Sequence, residues 1–208
     1  FGERKPGTVY DTDHPLVEFD VLVTGYEPFL DHAVNPAHEV AVSLNGSCDT
    51  VYLSPPHTMR LCYEGVALPV TSKGSGWTAQ KLGDTPRRWA GIIHLGTPCV
   101  LPTTAPVSYL DLHDLTALLD SSGHGDLVSL ETWSRDAGAY YCNEQFYRTL
   151  HAIRAETPTV DGPSFTPAIF VHLPDVTVVG QHEMAVVVRF VAQSIMIGTV
   201  GLLPEVCR

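Results

Sequence analysis

The chain has 208 residues, 44% of them apolar and 17% charged, which suits one soluble globular domain with a substantial core. Twelve Lys and Arg against 23 Asp and Glu leave a net charge of −11, too acidic for sequence-independent nucleic-acid binding or a polybasic membrane patch. No apolar run approaches the roughly 20 residues that span a bilayer, because Arg189, Gln193 and Gly198 interrupt the longest candidate.

In chain order, residues 1–17 lack periodicity and contain Pro6, Gly7 and Pro15, so they are expected to form an N-terminal extension to a single domain over 1–208. Residues 19–24 form a short apolar strand that stops at Gly25, followed by a loop to Pro36. Asn35-Pro36 opens a helix through Val40, Val42 and Leu44. Strands are expected over 51–54 and 66–70, and a helix around 78–82, with Lys73-Gly74-Ser75-Gly76 read as a turn and not a phosphate cradle. Residues 91–95 read as a strand buried on both faces. After a proline-rich stretch come a helix over 110–119, a strand over 127–132, and a helical pattern through Phe146, Leu150 and Ile153. A strand over 168–171 and a helix over about 181–197 complete the chain. Such alternation implies an α/β fold, a three-layer α/β/α sandwich around a mostly parallel twisted sheet, with active residues just beyond the strand ends.

Cys142 falls in the first turns of the helix that follows the 127–132 strand. There the unpaired backbone N–H groups and the positive end of the helix dipole favour thiolate over thiol. His172 follows the 168–171 strand and precedes Leu173-Pro174. A cysteine at a helix start and a histidine at a strand end form a candidate nucleophile–base pair. Taken singly, a cysteine is more often a small core residue than a nucleophile. The other four cysteines (48, 62, 99 and 207) form no C-x-x-C pair, and the odd total points to cytosolic thiols over a disulfide framework, hence a cytoplasmic protein. The ten histidines are scattered, and His182-Glu183 lacks the second histidine of H-E-x-x-H, so no metal or cofactor is expected. Neither G-x-G-x-x-G nor a P-loop occurs.

Three segments together resemble the pyrrolidone-carboxyl peptidase (pyroglutamyl peptidase I) family of cysteine exopeptidases. Thr24-Gly25-Tyr26-Glu27-Pro28-Phe29, with Asn35-Pro36, is similar to its N-terminal motif. Asp136-Ala137-Gly138-Ala139-Tyr140-Tyr141-Cys142-Asn143 is similar to its nucleophile motif, and Phe170-Val171-His172-Leu173-Pro174 to the segment carrying its histidine. The resemblance implies a hydrolase that removes an N-terminal pyroglutamyl residue from peptides through a thioacyl-enzyme, with Cys142 and His172 catalytic. It also implies that Tyr26, Phe29 and Tyr140 wall an aromatic pocket and that Asn35 lies near the lactam ring.

Two departures stand out. Leu30-Asp31 replaces the family's Gly-Gly. The family's third catalytic residue, a glutamate, has no counterpart: about thirty family positions are missing between Gly96 and Pro106, judged against loop-length priors. The expectation is that this segment lies outside the sequence, as the lack of an initiating Met also suggests for the N-terminus, over a true deletion. A true deletion would leave a weakened or non-catalytic relative that still binds pyroglutamyl peptides. An unrelated phosphorylase on the same architecture is disfavoured, since no phosphate-binding residues are recognisable. The oligomeric state is left open.

Overall fold

The structure is a computed structural model. It describes residues 10–11, 14–30, 33–53, 58–85, 89–95, 112–120, 123, 141–155, 166–171, 173–174 and 177–201. The described residues form six strands and five helices: β1 (Tyr10–Asp11), β2 (His14–Tyr26), α1 (Pro36–Leu44), β3 (Cys48–Tyr52), β4 (Thr58–Leu68), α2 (Ser72–Asp84), β5 (Gly91–Leu95), α3 (Leu112–Asp120), α4 (Tyr141–Ala155), β6 (Ala168–Val171) and α5 (Gln181–Gly201). The sheet order is β3-β4-β2-β5-β6; β1 is an antiparallel appendage of β2 and β3 pairs antiparallel with β4. The β2–β4, β2–β5 and β5–β6 pairs are parallel. This is the expected α/β sandwich.

Side-chain alternation along β2 divides the core into two layers. Val21 and Val23 face one side, packing with Val40 and Leu44 of α1 and with Met184, Val188 and Ala192 of α5. Leu22 faces the other, against Leu82 of α2 and Phe146, Leu150 and Ile153 of α4. Thr24 and Tyr26 lie on the same face as Leu22, so the end of β2 points at α4.

Glycines let α1 lie almost backbone-to-backbone on the sheet. A Cβ on Gly25 of β2 would stand 1.9 Å from the Ala37 carbonyl oxygen, and one on Gly65 of β4 would stand 1.8 Å from that of Ala41, one turn along the helix. Asn35 caps α1: its Oδ1 accepts from the Ala37 N–H at 3.0 Å, and Pro36 occupies the first turn.

Several expectations change. β2 begins at His14, inside the stretch read as an arm, and β4 runs from Thr58, well before residue 66. Residues 73–76 belong to the first turn of α2, where the Thr71 hydroxyl accepts from the Gly74 N–H at 3.2 Å. Gly74 is there because a Cβ would meet the Pro69 carbonyl oxygen at 2.0 Å. Cys48 and Cys62 are not thiols but a disulfide joining β3 to β4. They face each other in the antiparallel register, a pairing that sequence spacing alone does not reveal. Beside this link Arg189 of α5 bonds to Asp49 and, at 2.8 Å, to the Ser47 hydroxyl; the Tyr63 hydroxyl donates to Asp49 at 2.8 Å. No helix among the described residues is long and apolar enough to cross a membrane.

Candidate active site

Cys142 is the second residue of α4, as expected, and is a free, buried thiol with 8% of its surface exposed. The helix forms because Cys142, Gln145, Phe146, Thr149, Leu150 and Ile153 make one buried stripe at three- and four-residue spacing. That stripe lays the N-terminal turn of α4 against the C-terminal end of β2. Cys142 there packs with Tyr26 and Leu68, and Trp77, Tyr141 and Phe170 surround them. Phe170 belongs to β6, the strand that leads to position 172, and stacks at a tilt on Phe146 with ring centroids 5.8 Å apart.

Tyr26 is 2% exposed, and its hydroxyl donates to the Tyr141 carbonyl oxygen at 2.9 Å. Burial, reinforced by the nearby Cys142 and Glu144, holds its phenol well above the usual range, so it stays a hydrogen-bond donor at working pH. Between the two elements Gln145 donates from Nε2 to the Thr24 hydroxyl at 2.9 Å, both side chains being fully buried. Thr24 opens the first motif but has no role assigned from sequence, and Gln145 does not stand out there; a polar residue on the apolar stripe one turn after the cysteine is the available signal. Glu144, at the helix surface, pairs with Arg148. Desolvation would raise its pKa, but hydrogen bonds from Arg148 and Ser75 outweigh it and hold the carboxyl below its usual range.

Phe29 follows β2 in the loop and is half-buried. Asn35 uses both ends of its amide locally, capping α1 and donating from Nδ2 to the Glu27 carbonyl at 3.3 Å, so it staples the loop between β2 and α1. Leu30, where the family has glycine, adopts a left-handed backbone with φ 54° and is 79% exposed. Tyr140, His172, the 96–106 stretch and the expected strand over 127–132 lie outside the described residues. Among the described residues Cys142 and Tyr26 are brought together, and no group of three or more metal-ligating side chains converges. An open groove between α1 and α5, lined by Leu44, Gln181, His182 and Arg189, lies on the other side of the sheet and holds none of the expected residues.

Known proteins resemble the chain in sequence and in fold. The pyrrolidone-carboxylate peptidase of Halalkalibacterium halodurans is 27% identical over 185 residues, covering 74% of this chain and 83% of that protein. In sequence the chain is similar to that pyrrolidone-carboxylate peptidase. Among solved structures, the pyrrolidone carboxyl peptidase from Thermococcus litoralis superposes with a TM-score of 0.55 at 17% identity, over 86% of this chain and 93% of that one. The pyrrolidone carboxyl peptidase from Thermus thermophilus gives 0.52 at 21% identity, over 84% and 99%. These two likenesses establish the shared fold. No protein-family model matches the chain. On this shared fold the start of α4 and the end of β2 bring Cys142 and Tyr26 of this chain together.

Proposed function

We propose that the chain is a cysteine exopeptidase that hydrolyses an N-terminal pyroglutamyl residue from peptides. The observation that carries this reading is the free Cys142 thiol at the start of α4, packed with Tyr26 of the first family motif and flanked by Phe170 of the strand leading to His172. The Cys142 sulfur bonds to the pyroglutamyl carbonyl carbon, and His172 passes a proton to the departing amine as the C–N bond breaks. Water, deprotonated by His172, then attacks the thioester and the C–S bond breaks, releasing pyroglutamate. Backbone N–H groups at a helix start are suited to holding an oxyanion, a contribution of about 3 kcal/mol.

A pyroglutamyl ring is a small uncharged lactam with no free amine, so recognition calls for aromatic surface and a few hydrogen bonds and not for a carboxylate. Phe29 and Tyr140 suit the first role, with Tyr26 forming the pocket floor and Asn35 fixing the loop that carries Phe29. A cytoplasmic location is part of the reading; the Cys48–Cys62 link is the observation that weighs against it, since disulfides persist chiefly in oxidising compartments. The second reading, a pyroglutamyl-peptide binder without efficient turnover, is favoured by the missing counterpart of the family glutamate.

The test is hydrolysis of a pyroglutamyl-coumarin amide. The wild-type chain should cleave it, Cys142→Ala should not, and iodoacetamide should block activity by labelling Cys142. Calorimetric binding of pyroglutamate without any cleavage would move the assignment to the binder.

A further inference from the structure

Apolar packing holds a helix against a sheet without fixing its rotation or slide, because the hydrophobic effect is non-directional. The α4 stripe is apolar at Phe146, Leu150 and Ile153, and a leucine at position 145 would fill the same layer. The chain instead places a primary amide there, 1% exposed, opposite a threonine hydroxyl with no exposure at all. A buried amide that loses its partner keeps its desolvation penalty with nothing to offset it, so this pair favours one register of α4 on β2.

The register is one that brackets the cysteine. Thr24 and Tyr26 are successive same-face positions of β2, and they reach α4 at Gln145 and Tyr141. Two residues along a strand advance roughly 6.6 Å, and four along a helix about 6 Å. The two hydrogen bonds therefore run as parallel rungs between antiparallel elements, with Cys142 between their helix ends.

We propose that Gln145, acting through Thr24, is a positioning residue that sets the direction of the Cys142 side chain. The rung at Tyr26 fixes the helix end; the rung at Gln145 removes the remaining rotation about it. The kinetic part of the test rests on the peptidase reading, while the chemical part does not.

The experiment compares Thr24→Val, Thr24→Ser and Gln145→Leu in the full chain, reading kcat and KM on the coumarin amide, the rate of iodoacetamide labelling at Cys142, and the urea midpoint. Thr24→Val and Gln145→Leu should lower kcat about tenfold with KM within about twofold, as expected of a misaligned nucleophile. They should raise the labelling rate at least about threefold as the thiol leaves its cluster. Thr24→Ser, which keeps the hydroxyl, should stay within about twofold of wild type in both. The proposal is overturned if Thr24→Val leaves kcat and labelling unchanged, if the loss falls on KM alone, or if Thr24→Ser falls as far as Thr24→Val. Should Gln145→Leu not fold, the two Thr24 variants decide. A wild-type chain that cleaves nothing defeats the peptidase reading, and the labelling rates alone then judge the positioning role.

Discussion

The Tyr26 hydroxyl donates across 2.9 Å to the carbonyl oxygen of Tyr141, the residue immediately before Cys142. An aromatic residue from the first motif therefore holds the helix start that presents the thiol, in addition to any contact with a ligand. Tyr26→Phe keeps the ring and removes the bond, and should lower stability by about 1 kcal/mol. Urea unfolding checks this, and no change in midpoint would show that the bond carries no net stabilisation.

Gly25→Ala should be far more damaging than its size suggests. The added methyl would overlap the Ala37 carbonyl, forcing α1 away from the sheet, at a cost of about 3 kcal/mol or more. Gly83→Ala is the control, because a Cβ there meets nothing within 4 Å and adds helix propensity. Thermal unfolding of the two variants should move in opposite directions.

Leu30 occupies a backbone region that favours glycine. Leu30→Gly relieves that strain and removes an exposed apolar side chain, and should raise stability by about 0.5–1 kcal/mol. A lower melting temperature would show that Leu30 makes contacts worth more than the strain.

Asp49 gives a pH signature. Burial pushes its pKa up, but hydrogen bonds from Arg189, Tyr63 and Gln193 outweigh burial and hold it below the usual carboxylate range. A depressed folded-state pKa means its stabilisation is complete above the unfolded value near ~4 and is lost as pH falls through the folded value. Asp49→Asn should therefore cost about 1–2 kcal/mol at neutral pH, with the gap to wild type closing as the pH falls below the unfolded carboxylate value. A gap that stays constant into acid would refute the charged role.

Cys48 and Cys62 are 14 residues apart, and closing a loop of that length stabilises by about 3 kcal/mol on chain-entropy grounds. Dithiothreitol should lower the urea midpoint of the wild type accordingly and leave a Cys48→Ser/Cys62→Ser variant unmoved.

How much of this was legible before the fold depends on whether the signal was local. The bounds of β6 and the start of α5 were read correctly, since a short apolar run and a helix-opening polar segment announce themselves. The helical setting of Cys142 was legible for the same reason. β4 reads from sequence as starting eight residues too late because Arg60 and Glu64 break its early half and leave only the short apolar run Leu61-Cys62-Tyr63. Gly74 and Gly76 looked like turn residues, yet Gly74 is small so that α2 can pass Pro69. The disulfide and the Thr24–Gln145 pair both depend on register between distant segments, which no local window contains.

Two sulfur states share one molecule: a bridge on the edge of the sheet, and an unbridged thiol at the start of α4. A preparation rich enough in reductant to protect Cys142 from oxidation also cuts the covalent link between β3 and β4, leaving only their ladder. Storage conditions that preserve the bridge expose the thiol to sulfenic acid formation. Specific activity and shelf life should therefore peak at different redox poises, and a purification judged on one will misjudge the other.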